Sequence, residues 1–232
     1  GHALYELHVG RELSRTCLGG GVSMAIHESQ SRFYENIIGR SRAFCGVIYP
    51  WLREHFAPRL DDVSQEDFYR MINKAQPSLI RTEADELTYC LHIMVRYELE
   101  RRMFAGELTA HDLPAEWNRL YKAYLGVDVP NDREGILQDS HWANGNIGYF
   151  PSYAIGSAYG AQYLRQMQKD FDVSAAVATG RLTQINCWLE EKIWKYGCMK
   201  DPTPLFESVC GPFDPTCYTA YLRDKFTEVY GL

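Results

Sequence analysis

A chain of 232 residues has room for one large domain or two small ones and for a substantial buried core. Its net charge of −6, pI of about 5.7 and lack of any local Lys/Arg cluster give no basic footprint for nucleic acid. No apolar run approaches the roughly 20 residues of a membrane span, so neither nucleic acid nor a membrane is expected as a partner. The seven cysteines, odd in number and without a Cys-x-x-Cys pair, point to a reducing, cytoplasmic compartment and to thiols used as buried apolar side chains. Sixteen tyrosines and five tryptophans imply an aromatic-lined interior, compatible with a peptide-binding cleft.

In chain order, residues 1–13 read as a helix with Leu4, Leu7 and His8 on one face and no N-cap before it. Gly19, Gly20 and Gly21 then break the periodicity and predict a loop between Arg15 and Ala25. Helical spacing returns from Glu28 to Phe56 through Phe33, Ile37, Phe44, Ile48 and Leu52, with Pro50 expected to kink or end the helix. Ser64 and Asp67 form a capping signature for a short helix carrying Phe68, Met71 and Ile72. The longest regular stretch is read from Leu79 to Phe104, its apolar face formed by Ile80, Leu87, Leu91, Met94 and Val95.

Asp112, Leu113 and Pro114 open a helix that turns Trp117, Leu120, Tyr121 and Tyr124 inward, and Gly126 is its C-cap. A loop-like stretch follows, and Pro151 begins a helix in which Ala154, Gly156, Ser157, Ala158, Gly160 and Ala161 alternate with tyrosines. Small residues of this kind let a neighbouring backbone approach closely. Two further helices are read at Thr183–Tyr196, capped by Gly197, and Pro215–Tyr230, with Asp214 as N-cap. Strand signals are few and short. The fold class is mainly α.

Several groups of residues could carry chemistry. In an HExxH zinc peptidase, two imidazoles one helical turn apart reach one ion and the intervening Glu is the general base. Only the closing Gly-His of such a motif could be present here, as Gly1 and His2. Glu28, in His27-Glu28-Ser29-Gln30, stands where a downstream carboxylate ligand would, with His27 as a supporting or structural neighbour because adjacent helical residues do not face one point. Arg81 and Asp85 fall at i and i+4, as a structural ion pair or as a guanidinium that Asp85 orients toward a substrate carboxylate. Gln138, Asp139, His141 and Trp142 gather an amide, a carboxylate, an imidazole and an indole, in which Asp139 could orient His141. Tyr149 and Tyr153 follow, either as oxyanion donors or as packed aromatics.

Together these motifs resemble the HExxH-containing helical metallocarboxypeptidases typified by carboxypeptidase Taq. The matching elements are Gly-His-Ala-Leu-Tyr-Glu at 1–6, His-Glu-Ser-Gln at 27–30, Ile-Arg-Thr-Glu-Ala-Asp at 80–85 and Gly-Ile-Leu-Gln-Asp-Ser-His-Trp at 135–142. The resemblance implies a gluzincin-like helical zinc-peptidase fold with few short strands, of which residues 1–232 form the C-terminal part of a single catalytic domain. It implies a cytoplasmic, homodimeric enzyme that removes single residues from peptides with a free C-terminus, using zinc or cobalt. Carried over by motif, His2 and Glu28 are metal ligands, Arg81 binds the substrate carboxylate, and His141 with Tyr149 or Tyr153 is catalytic. His27, Asp85, Gln138 and Asp139 support them.

The sequence departs from the family pattern by lacking its N-terminal half, including the HPF and DxRxT motifs and the His-Glu-x expected directly ahead of Gly1. The 232 residues alone are therefore expected to hold metal weakly, to be inactive, and to associate with a second copy or with the missing segment through exposed apolar surface. A helical endopeptidase or peptidyl-dipeptidase is the neighbouring alternative. A non-catalytic helical interaction domain is the alternative from another class.

Overall fold

The structure is a computed structural model that describes residues 1–232, and it contains helices and turns without a strand. The mainly helical expectation holds, while the few short strands do not form. Eleven α-helices follow in order: α1 His2–Leu7, α2 Met24–Arg32, α3 Arg42–His55, α4 Gln65–Ile72, α5 Tyr89–Phe104, α6 Leu113–Leu125, α7 Pro151–Met167, α8 Val173–Ala178, α9 Leu182–Lys192, α10 Pro202–Cys210 and α11 Thr216–Tyr230. The chain divides into two compact units, one made of Gly1–Asn73 with Ile155–Leu232 and the other of Lys74–Ala154.

In the larger unit the core forms around Tyr5, Ile26, Phe33, Tyr163, Met167, Leu189, Trp194 and Phe206. α1 is shorter than the helix read over 1–13, and it buries Tyr5 while Leu7 is 78% exposed. Six residues make barely two turns, so tertiary contact at Tyr5 sets the buried face. α2 starts where Ser23 accepts a hydrogen bond from the Ile26 backbone N–H. Its buried polar residues are satisfied: the Trp194 indole donates to Gln30 Oε1 at 2.8 Å, and Gln30 Nε2 donates to Ser29 Oγ at 2.8 Å. The backbone then widens into a π-turn at Phe33–Ile38 before α3. Pro50 lies inside α3 without ending it.

The small residues of α7 have a specific use. A Cβ at Gly156 would stand 2.6 Å from Glu28 Cβ, so only glycine lets α7 lie directly against α2 at that carboxylate. Gly1 is equally constrained, since a Cβ there would be 2.2 Å from the Gln30 carbonyl oxygen. The helix read at 183–196 breaks after Lys192, where Trp194–Tyr196 form a 3-10 turn and Gly197 takes φ +48°. α8 and α10 were absent from the sequence reading; α8 is six residues long, with its start fixed by Asp172, whose carboxylate accepts from Ala175 N–H.

In the smaller unit α5 and α6 pack through Val95, Leu99, Trp117, Leu120, Tyr121 and Leu125, and the Gly126 cap takes φ +70° as expected. The long helix read from Leu79 starts ten residues late. Residues 81–83 form a 3-10 turn and Ala84 is extended. Asp85 stops a helix from propagating backwards by accepting from the Thr88 N–H at 2.9 Å and the Thr88 hydroxyl at 2.8 Å. The expected apolar face of α5 is also displaced. Met94 and Leu87 are 44% and 40% exposed, while His92, Arg96 and Glu100 are buried beside Ile93, Val95 and Leu99. A helix that buries charge has no clean apolar stripe for periodicity to detect.

Candidate active site

One cluster lies in the larger unit, where α1 and α2 meet. His2 Nε2 lies 3.6 Å from Glu28 Oε2, and His2 Nδ1 lies 3.0 Å from His27 Nδ1. On its other side His27 Nε2 is 2.5 Å from Glu6 Oε1, which also accepts from the Gly21 N–H at 2.9 Å. Glu28 Oε2 accepts from the Ser31 hydroxyl at 2.7 Å. The side chain of Glu28 is 8% exposed and that of His2 48%.

With Glu6 ionised and both imidazoles neutral, this chain of contacts selects one tautomer of each ring. An ionised carboxylate only accepts, so His27 Nε2 carries the hydrogen toward Glu6. In neutral His27 the Nδ1 is then an acceptor, and His2 Nδ1 must donate to it. His2 Nε2 is left as a lone pair beside Glu28, the state a metal ligand requires. Burial lowers the His2 pKa, with Glu28 opposing and His27 adding to it, which favours the neutral ring. Burial alone would raise Glu6, but the Gly21 N–H and the His27 ring outweigh it and hold the carboxyl below its ordinary value. His27 stands beside His2 as a supporting neighbour would. His27 and Glu28 both reach His2, because they meet different nitrogens of one ring.

The donors fit part of a metal site. Two ligand atoms bound tetrahedrally at about 2.0–2.1 Å lie about 3.4 Å apart, close to the 3.6 Å between His2 Nε2 and Glu28 Oε2. Imidazole nitrogen with carboxylate oxygen is a common zinc pairing. No group of three His, Cys, Asp or Glu side chains converges, so His2 and Glu28 are two candidate donors and not a complete ligand set.

The second cluster lies in the smaller unit. Asp139 Oδ1 accepts from Arg81 Nε at 2.9 Å and Nη2 at 2.7 Å, while Asp139 Oδ2 accepts from Arg96 Nε at 2.7 Å. Gln138 Oε1 accepts from the Arg81 backbone N–H and from Arg96 Nη2, both at 2.9 Å, and its amide donates to the carbonyls of Leu79 and Glu134. Arg81 Nη1 donates to the Tyr89 hydroxyl at 2.9 Å. Burial would raise Asp139, but the two guanidiniums prevail and keep it below the ordinary range.

Two expectations are corrected here. Asp85 does not pair with Arg81, because the two are not on one helix, and Asp139 takes its place. Asp139 does not orient His141, because both its oxygens are engaged by arginines. His141 Nε2 instead lies 3.0 Å from the Tyr153 hydroxyl, its ring packs on Phe150 at 4.3 Å, and its buried Nδ1 has no hydrogen-bond partner. Burial lowers the His141 pKa, Asp139 partly offsetting it and Arg81 and Arg96 adding to it. Tyr149 packs its ring near His141 at 5.4 Å.

Sequence reading missed four participants. Glu6 and Gly21 set the His27 tautomer. Arg96 shares Asp139 with Arg81, and Glu100 Oε1 accepts from the Trp142 indole at 2.6 Å and the Gly148 N–H at 3.2 Å, holding the loop that carries His141. The available signal for the last two was charge placed among the core positions of α5.

The chain matches the family described as Carboxypeptidase Taq (M32) metallopeptidase over residues 1–226, and it belongs to that family. It is 45% identical over 232 residues to carboxypeptidase 1 of Bacillus subtilis, covering 99% of this chain and 46% of that protein. It is 44% identical over 228 residues to thermostable carboxypeptidase 1 of Pyrococcus furiosus, covering 97% of this chain and 46% of that protein. Among solved structures, the M32 carboxypeptidase from Deinococcus radiodurans matches with a TM-score of 0.96 and 42% identity, over 100% of this chain and 47% of that one. Trypanosoma cruzi metallocarboxypeptidase 1 matches with a TM-score of 0.91 and 36% identity, over 100% of this chain and 48% of that one. The chain spans about half the length of the curated relatives it matches. No helix is long and apolar enough to cross a membrane.

Proposed function

We propose that these residues are the C-terminal part of the single catalytic domain of a metal-dependent carboxypeptidase that releases one amino acid at a time from peptides with a free C-terminus. The observation that carries the reading is the meeting of Glu6, His27, His2 and Glu28 across α1 and α2, with His2 Nε2 3.6 Å from Glu28 Oε2. His2 and Glu28 would hold the ion, zinc or cobalt on the family resemblance. When bound, it supplies Lewis-acid chemistry for amide hydrolysis. Two donors hold such an ion weakly, and the resemblance puts the third, with the general base, in His-Glu-x ahead of Gly1. These 232 residues alone are therefore proposed to be inactive.

Within the smaller unit, Arg81 is proposed to recognise the substrate carboxylate. Two guanidiniums share Asp139, so the Arg81–Arg96–Asp139 triad keeps a net positive charge, which favours an anion. Gln138 and Asp139 hold the Arg81 fork in place, and Asp85 shapes the turn that carries it. Tyr153 is favoured over Tyr149 as the hydroxyl that stabilises developing negative charge, because it lies within hydrogen-bond distance of His141, whose ring can pass or hold its proton. Homodimerisation, or association with the rest of the polypeptide, and a cytoplasmic address are proposed on the same resemblance.

The test uses the protein with its upstream sequence restored. Release of C-terminal amino acids should require a divalent metal and fall sharply when the peptide C-terminus is amidated. Equal cleavage of amidated peptide would replace the carboxypeptidase reading with an endopeptidase. Tyr153→Phe should lower kcat by about 10²–10³, while Tyr149→Phe should leave it within a small factor; the opposite result would reassign the hydroxyl.

A further inference from the structure

His141 and Tyr153 meet inside the smaller unit, Nε2 standing 3.0 Å from the hydroxyl oxygen, and the distance alone does not say which of the two donates. Their backbones are held on both sides. Glu100 accepts from the Trp142 indole and the Gly148 N–H, and Tyr153 lies in the first turn of α7. The rest of the His141 ring is enclosed by aromatic side chains. Phe150 packs on it with centroids 4.3 Å apart, Tyr149 lies at 5.4 Å, and Nδ1 is buried without a hydrogen-bond partner.

These surroundings disfavour an imidazolium. Burial lowers the His141 pKa; Asp139 and Glu100 oppose the shift while Arg81 and Arg96 add to it. Both Asp139 oxygens are already engaged by the two guanidiniums. An imidazolium also needs an acceptor for each of two N–H groups, and none reaches Nδ1. A neutral ring carries one hydrogen. Placed on Nδ1, it would be a buried N–H without an acceptor, which is rare in folded proteins. Placed on Nε2, it has the Tyr153 oxygen within reach and leaves only a lone pair unsatisfied. Neutral histidine favours the Nε2 hydrogen intrinsically as well.

Of passing a proton and holding one, the ring is therefore suited to the second. We propose that His141 is a positioning residue and not a proton carrier: its Nε2–H donates to the Tyr153 oxygen and turns the Tyr153 O–H away from the ring. A hydroxyl that accepts one hydrogen bond donates the next more strongly, so the contact both aims Tyr153 and strengthens it. The consequence for turnover rests on the reading of Tyr153 as the hydroxyl that stabilises negative charge; the tautomer itself does not.

The test has two arms. In the 232-residue chain with isotope-labelled histidine, the long-range nitrogen–proton spectrum of the imidazoles reports the tautomer directly, with His141 assigned by the loss of its signals in His141→Gln or by their displacement in Tyr153→Phe. It should show hydrogen on Nε2 and a bare Nδ1, unchanged between about pH 8 and pH 5, the range in which an ordinary histidine titrates. Hydrogen on Nδ1, or an imidazolium forming near about pH 6.5, overturns the proposal. The second arm is kcat of the protein with its upstream sequence restored. His141→Leu should lose about 10²–10³, as for a disabled oxyanion donor. His141→Gln, which keeps an N–H at that reach but cannot carry a proton, should recover most of the loss. A glutamine variant as slow as the leucine variant overturns positioning in favour of acid–base catalysis. If Tyr153→Phe leaves kcat unchanged, the reading of Tyr153 fails, and the spectrum still decides the tautomer.

Discussion

Asp139 and Glu28 are buried to the same extent, each with 8% of its side chain exposed, yet their oxygens meet different kinds of partner. Asp139 is gripped by two guanidiniums that are charged at every relevant pH. Glu28 accepts from the Ser31 hydroxyl and faces the half-exposed His2 imidazole, whose Nε2 lies 3.6 Å away. The first arrangement neutralises the Asp139 charge permanently, which ties it to the stability of its unit, and leaves one guanidinium charge in excess. The second keeps a carboxylate and an imidazole nitrogen at ligand spacing, the arrangement proposed to receive a cation. Burial alone does not distinguish these two acids; the permanence of the partner's charge does.

The sharpest way to break this comparison is Asp139→Ala, which leaves two buried guanidiniums without their shared carboxylate. It should destabilise the smaller unit by about 3–5 kcal/mol, seen as a fall in the urea midpoint. An unchanged midpoint would mean that the triad is not structural. Glu28→Gln should have the opposite profile. Stability should change by less than about 1 kcal/mol, while metal affinity of the protein with its upstream sequence, measured by chelator competition, drops more than the roughly 10–100-fold typical of an outer-shell change. Glu6→Gln sharpens the relay, with an expected loss of about 10–100-fold in that affinity and little change in folding.

A fourth prediction concerns pH. Burial, with Arg96 and Arg81 adding to it, lowers His92 to about 4 from 6.5. The folded state thus resists a proton that the unfolded chain accepts. The stability linked to neutral His92 is complete above about pH 6.5 and is lost as pH falls from about 6.5 toward 4. Urea midpoints at pH 7 and pH 5 should differ in that direction, and His92→Gln should flatten the slope. The smallest effect is Ser64→Ala in the larger unit, which removes the Ser64–Asp67 capping box and should cost about 1 kcal/mol.

What was legible in the sequence followed from local rules. The capping box at Ser64, the helix from Leu113 to Gly126 and the long helix opened by Pro151 rest on residues whose caps and spacing act within one turn. Motif order was legible as well and pointed to the family to which the chain belongs. The Leu79 start failed because Arg81 and its backbone N–H are claimed by Asp139 and Gln138, more than fifty positions away. Arg96 and Glu100 escaped because periodicity counts apolar residues and is blind to charge that is buried with a partner.

By itself, then, the sequence determined the helical class, the caps at Ser64 and Gly126 and the candidate residues His2, Glu28, Arg81, His141, Tyr149 and Tyr153. Tertiary structure alone decided which of them meet. Only close approach at Gly1 and Gly156 brings α1 and α7 onto α2, so that Glu6 can set the His27 tautomer and His27 that of His2. A hydrogen-bond relay depends on distances of a few tenths of an ångström between segments far apart in the chain, and no local spacing encodes them.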